Sequence, residues 1–406
     1  MSSIGVVHPD IMAGAGSEAV TGYMLDAIRD HDLTLYTSKP VDFAGFDAEH
    51  GTSLETADIT VVNPAADVTD GIDLLTAPVK RATSITKFRE LKASLVCRAL
   101  RRQEPDHDLF ISAWGQFPTE LPSIEYVHAR RPVTKVDGYG PLAMHYRLCD
   151  YILGDRTQNY ESTTTVANSE WMQSQLASAK RDETLVLYPP IDTSDIEPLP
   201  WEQRDEGFVS LGRITPTKRQ VAGIEIIDSV VDRGVDTHLH VIGLEKDDSY
   251  CRRIRQMAAE RSYVHFEGEV TRERLVELIV GHRFGLHAAR DEPFGMTIAE
   301  MAAGGTVPFV HESGGQREIL ATHPELIYER ETGAVESIIE VFSDECKQRS
   351  LSDQLVAEAQ QFSVDTFQHR FAEVVRQRLE GTPVTVPSGT ESAATAAENS
   401  RPAPKG

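Results

Sequence analysis

The stretch "FGLHAARDEPFGMTIAEMAAGG", residues 284–305, reads as a short buried strand (284–289), a loop, and a helix that ends at Gly304. A short apolar strand that feeds a loop and then a helix is the repeating unit of a parallel α/β sheet. The unit recurs on both sides of the quoted stretch. Upstream lie the strand "GFVSLG" (207–212), a helix from about 220, the strand "THLHVIG" (237–243), a helix over 247–262, the strand "VHFEGE" (264–269) and a helix over 271–282; downstream lies the strand "TVPFVH" (306–311). This alternation predicts a doubly wound sheet.

The N-terminal half predicts a second sheet. It opens with the strand "IGVVH" (4–8), a glycine loop "PDIMAGAGS" (9–17), a helical stretch "EAVTGYMLDAIRD" (18–30) and the strand "LTLYTS" (33–38). Further strands are expected at 59–63, 108–113, 124–128, 163–169 and 184–189. The expected division is an N-terminal domain over 1–190, a C-terminal domain over 191–365, a helix over 366–381 that packs back on the first domain, and a disordered Pro, Ser, Thr and Ala-rich tail over 382–406. A chain of 406 residues and 44.9 kDa is long enough for two cores and a cleft between them.

Composition narrows the function. Hydrophobic residues make up 40% and charged residues 25%, and no run of eighteen apolar residues offers a membrane span. The start "MSSIGVVHPD" lacks a secretion signal, and Cys97, Cys149, Cys251 and Cys346 have no metal-ligand spacing, so a reducing cytoplasm is expected. A formal charge of −23 argues against general nucleic-acid affinity. It predicts a halophile-like surface that stays hydrated and folded in molar salt.

Chemistry concentrates in the loops that follow strands. In the quoted stretch Gly295 removes a side chain at a helix start, where backbone N–H groups and the helix dipole suit a phosphate. Glu292 in the loop and Glu300, one turn into the helix after Thr297, can border one pocket at different heights. Carboxylates there suit vicinal hydroxyls of a ribose or hexose, although Glu near a helix start is equally an ordinary surface feature. The loop "GRITPTK" (212–218) adds Arg213 and Lys218, a fork and a point charge suited to a diphosphate. A third loop, "HESGGQRE" (311–318), is read as a turn at the border of the same cleft.

Together, "GLHAARDEPFGMTIAEMAAGG", "LGRITPTK", "VANSEWMQSQL", "YPPID" and "HESGG" resemble the retaining glycosyltransferases of family 4 over about residues 1–375. The resemblance implies the GT-B fold, two facing Rossmann-like domains. Within that family the wording is closest to mannosyltransferases that extend lipid-linked oligosaccharides on the cytosolic membrane face. By resemblance, Arg213 and Lys218 hold the donor diphosphate, Glu300 bonds the ribose, and Glu292 with the backbone of Phe294, Gly295 and Met296 holds the transferred sugar. Thr297 stands near a phosphate, Gly16 approaches the diphosphate from the first domain, and His128 reaches the sugar from the acceptor side. Ala15 separates Gly14 from Gly16, a departure from the adjacent glycines usual in the family.

The function so implied is transfer of a hexose, mannose first, from a GDP- or UDP-linked donor to a hydroxyl of a glycan or lipid-linked acceptor. Retention follows from front-face attack, with the charge of the leaving diphosphate stabilised without a metal. "DHD" occurs at 30–32 and 106–108, a spacing that metal-dependent transferases use, but neither copy lies in the glutamate domain. A 2-epimerase of nucleotide sugars and a non-catalytic nucleotide-sugar-binding subunit are the other readings. Residues 80–102 carry eight basic side chains and one acidic one, and predict a basic amphipathic helix that docks on an anionic membrane or a lipid phosphate.

Overall fold

The computed structural model describes residues 1–12, 16–72, 88–103, 105–114, 121–129, 141–153, 162–176, 181 and 183–386. Two parallel sheets organise them. The first has seven strands: β1 (Ser3–Val7), β2 (Asp32–Tyr36), β3 (Ile59–Val62), β4 (Leu109–Ser112), β5 (Ser123–Val127), β6 (Thr163–Ala167) and β7 (Leu185–Val186), in the order β3-β2-β1-β4-β5-β6-β7. The second has six: β8 (Asp205–Leu211), β9 (Leu239–Ile242), β10 (Val264–Gly268), β11 (His282–His287), β12 (Val307–His311) and β13 (Ile327–Tyr328), in the order β10-β9-β8-β11-β12-β13. The two-residue strand β13 carries no pattern long enough to be expected from sequence. Strand β7 is shorter than the sequence suggests: Leu187 N–H makes a last bond to the Ala167 carbonyl at 3.0 Å, and Pro189 and Pro190 beyond it cannot donate to a ladder.

Both orders reverse beside their first strand, at β1 and β4 in one sheet and at β8 and β11 in the other. Connections leave such neighbours in opposite directions and open a crevice at their carboxyl ends. The glycine loop after β1, the cation loop after β8 and the glutamate loop after β11 therefore all start at crevices.

Each domain has its own core. In the second, Phe208 and Phe284 stack with ring centroids 5.3 Å apart, and Phe342 stacks on Phe284 at 4.3 Å. In the first, the core around Ile4, Val6, Leu33, Ile111 and Tyr126 is completed by Phe367, Phe371, Val374 and Val375. Those four lie on the helix Val364–Glu380, capped by Ser363 and stopped by Gly381 in the left-handed conformation, φ 67°. Just before this helix, Ile191 N–H donates to the Phe362 carbonyl at 2.8 Å, so the chain leaves the first domain and returns to it at one point.

Of the basic segment, the helix Phe88–Gln103 is described, and residues 80–87 lie outside the described residues, as do Gly14, Ala15 and the tail from 387. Val96, Cys97 and Leu100 of that helix are buried, and Arg98 and Arg101 donate to the Ile152 and Leu153 carbonyls, at 3.4 and 2.7 Å. These arginines cap the end of the helix Pro141–Leu153. None of the described helices is long and apolar enough to cross a membrane.

Candidate functional site

The glutamate loop takes its shape from backbone constraints. Asp291 adopts a left-handed conformation, φ 53°, and its N–H donates to Ser313 Oγ at 2.9 Å. Glu292 then pairs with Gly314 along the backbone, and Gly315 N–H donates to the Glu292 carbonyl at 2.8 Å. A Cβ on Gly314, which has φ 96°, would lie 2.4 Å from that carbonyl oxygen, so the "HESGG" loop holds glycine where the glutamate loop lies against it. Gln316, fully buried, donates to the carbonyls of Ala289, His311 and Ser313 and ties the two loops together. Phe294 anchors the other end, stacked on Tyr188 with centroids 5.4 Å apart. Gly295, φ 104°, then opens the helix Met296–Ala303, with Thr297 half-buried in its first turn.

The Glu292 carboxylate points at the cation loop. Lys218 Nζ lies 2.7 Å from Glu292 Oε2, and His287 Nε2, at the end of β11, lies 3.7 Å from the same oxygen. Burial would push Glu292 up, but the His287 imidazole and the Lys218 ammonium reverse this and hold its carboxyl well below the usual carboxylate range. Burial also pushes the His287 ring down from its ordinary value. Arg213 stands on the same loop with its side chain exposed, and among the described residues it forms no ion pair. The loop thus offers an exposed guanidinium and an ammonium already turned toward the glutamate.

Glu300 is engaged differently. Its Oε1 lies 2.8 Å from Arg272 Nη1, and Arg272 also meets Asp195 at 2.9 Å and the Asp192 carbonyl at 3.0 Å. Tyr23 of the first domain faces this cluster; burial and then the charge of Asp192 push its phenol up. Glu300 therefore stands at the seam between the domains.

From the first domain, Gly16 opens the helix Gly16–Ala27, and a Cβ on it would lie 2.8 Å from Met296 Sδ. The glycine lets the first domain reach the helix start that follows the glutamate loop. His128, just beyond β5, has a ring pushed down to about 4 by burial. Its Nε2 is buried without a hydrogen-bond partner among the described residues, while its carbonyl accepts from Asn168 at 2.9 Å. Ser169 Oγ donates to the Pro293 carbonyl at 2.6 Å, and Glu318 accepts from the N–H groups of Glu170 and Trp171 at 2.8 and 2.7 Å. These bonds fasten the first domain to the glutamate loop.

Sequence reasoning missed His287, Arg272, Tyr23 and Glu318. Only His287 left a signal, as the polar last residue of an apolar strand; the others meet the site through packing between the domains.

The chain is similar to known proteins in part of its sequence and in its fold. Residues 192–361 match the family model described as "Glycosyl transferases group 1". Curated relatives named GDP-Man:Man(3)GlcNAc(2)-PP-Dol alpha-1,2-mannosyltransferase include one from Candida glabrata, 25% identical over 37% of this chain and 33% of that one, and one from Homo sapiens, 24% identical over 53% and 49%. The chain spans about a third to a half of the length of these relatives. Among solved structures, a glycosyltransferase from Rickettsia africae superposes with TM-score 0.66 at 14% identity, covering 94% of this chain and 99% of that one. Anabaena Alr3699/HepE in complex with UDP and glucose superposes with TM-score 0.62 at 14% identity, covering 93% and 100%. Residues 192–361 are a glycosyl transferases group 1 domain, and the chain that carries them has the GT-B fold.

Proposed function

We propose that this protein is a retaining, metal-independent glycosyltransferase that moves a hexose, mannose first, from a nucleotide-diphosphate sugar to a hydroxyl of a glycan or lipid-linked acceptor. The observation that carries the reading is the Glu292 anion held 2.7 Å from Lys218, directly before a helix N-terminus, with the exposed Arg213 on the same loop as Lys218. That is a place for a diphosphate with a sugar next to it. Arg213, Lys218 and the N–H groups at Gly295, Met296 and Thr297 stabilise the charge that grows on the leaving diphosphate. Glu292 and the backbone around Phe294 hold the sugar. Glu300 meets the ribose, with Arg272 fixing its carboxylate. The acceptor oxygen attacks from the face that the diphosphate leaves, its proton passes to a diphosphate oxygen, and His128 orients the acceptor side as a neutral ring.

Metal independence draws support from the two Asp-His-Asp copies. Asp32 begins β2 and Asp108 directly precedes β4, at the amino ends of strands, whereas the crevices open at the carboxyl ends. The name of the mannosyltransferase relatives supports GDP-mannose as first donor, and the UDP and glucose of the Anabaena structure keep UDP-hexoses second.

Membrane contact is part of the same proposal. On the helix Pro141–Leu153, Met144, Leu148 and Tyr151 are exposed, at 73%, 49% and 79%, and their i, i+4, i+7 spacing makes one apolar stripe. With Arg98 and Arg101 occupied in capping, this stripe is the better docking face. Changing all three stripe residues to Ser should abolish flotation with anionic liposomes; undiminished flotation would remove the stripe from docking.

The decisive experiment incubates the protein with GDP-mannose, UDP-glucose, UDP-galactose and UDP-N-acetylglucosamine, with and without EDTA, and analyses acceptor products by mass. A hexosylated product that forms in EDTA supports the reading. An epimerised donor, or binding without turnover, refutes it.

A further inference from the structure

The carboxyl ends of the second sheet hold the donor site, and histidines converge at its amino ends. His238, directly before β9, and His240 within it are two apart and share one face. His265 of β10 is the register partner of His240, and His282 opens β11. Strand β8 runs between β9 and β11, so rings from those two strands meet only if β8 offers no side chain between them. Gly207 meets this condition: a Cβ there would lie 2.3 Å from His238 Nε2. Over that glycine the Nε2 atoms of His238 and His282 come within 3.1 Å, and one ring nitrogen from each of His238, His240 and His282 lies within 4.8 Å of the others.

The outer nitrogens fix the tautomers. His282 Nδ1 lies 2.7 Å from the Leu278 carbonyl, and His240 Nδ1 lies 2.8 Å from Glu267 Oε1. A carbonyl and a carboxylate only accept, so both Nδ1 atoms carry the proton and both Nε2 atoms keep a lone pair. Metal-ligating histidines are oriented in this way, by a carboxylate or a backbone carbonyl on the far nitrogen.

We propose that His238, His240 and His282 form a site for one divalent late-transition-metal ion, Zn²⁺ first, with Glu267 and the Leu278 carbonyl orienting two of the rings. Three imidazoles select zinc, cobalt, nickel or copper over magnesium and calcium, which take oxygen ligands. His265, exposed beside the three rings, has its ring centroid 4.7 Å from that of His240. Asp205, the register partner of His282, adds negative charge nearby. The ion would pin β9 to β11 across β8, about 16 Å along β11 from His287. It is a structural cross-link, separate from transfer chemistry.

The test uses the full chain, stripped with chelator, dialysed against ZnCl2 or CoCl2 and assayed for metal by atomic emission. One Zn²⁺ per chain is expected, with a visible absorption band for the Co²⁺ form and a Tm raised by about 5–10 °C at a hundredfold excess over Kd. His238→Ala and His240→Ala, both at half-buried positions, should each weaken binding at least tenfold, while His369→Ala at an exposed position should not change it. Far-UV circular dichroism checks that the variants fold. Less than a tenth of an ion per chain, or undiminished binding in the double variant H238A/H240A, overturns the proposal.

Discussion

Glu292 is a carboxylate that the fold keeps ionised inside a crevice, with Lys218 and His287 both facing its Oε2. Glu292→Gln keeps the shape and removes the charge. Transfer should fall by about 10²–10³-fold, the range for loss of one preorganised electrostatic group, while nucleotide affinity measured by calorimetry changes little. An unchanged rate would remove Glu292 from the site. His128 makes a different prediction. Burial lowers its ring from the ordinary 6.5 to about 4, so below pH 6.5 the unfolded chain takes up this proton before the folded one does. The stability it contributes as a neutral ring is complete above pH 6.5 and declines as pH falls toward about 4. Urea midpoints between pH 7 and 4.5 should therefore drop less in His128→Asn than in the parent. Equal slopes would show that the ring titrates alike in both states.

At the scale of elements, the strand, loop and helix of residues 284–305 were legible because each signal is local: an apolar run, a glycine that starts the helix and one that ends it. The pairing of Lys218 with Glu292 was legible only as two loops on one sheet, since their contact depends on β8 lying next to β11. Histidines 238, 240 and 282 went unread for the same reason: the rings gather only when β8 places Gly207 between them. Gly314 tests how firmly one loop shapes the other. Alanine there meets both a positive φ and the Glu292 backbone, so Gly314→Ala should cost about 1–3 kcal/mol of stability. Chemical denaturation would measure that loss, and transfer should fall more than stability does. A variant with normal activity would mean that the Glu292 loop sets its own conformation.

At the scale of the whole molecule, the seam between the domains carries the Ser169 bond to the Pro293 carbonyl and the Glu318 bonds to the N–H groups of Glu170 and Trp171, none of which had a sequence signature. Glu318→Ala leaves the N–H groups of Glu170 and Trp171 unpaired at the seam. Donor KM should rise about tenfold, the equivalent of one charge-assisted bond, with a larger radius of gyration in scattering; an unchanged radius would show that other contacts hold the domains. The charge of −23 acts on the entire surface, and the thermal midpoint should climb steadily from about 0.1 to 3 M KCl as screening relieves self-repulsion. A flat response would mark the acidity as incidental.

The helix Val364–Glu380, expected from sequence over 366–381 with its packing on the first domain, sets Phe367, Phe371, Val374 and Val375 at i, i+4, i+7 and i+8 into that domain's core. Its place in the first core makes the domain from about 191 to 363 an insertion within the other. On the ribosome the order of completion is then reversed. The inserted domain is continuous and can finish first, whereas the domain that emerges first must wait, its core open, until Val364–Glu380 has followed the whole inserted domain out.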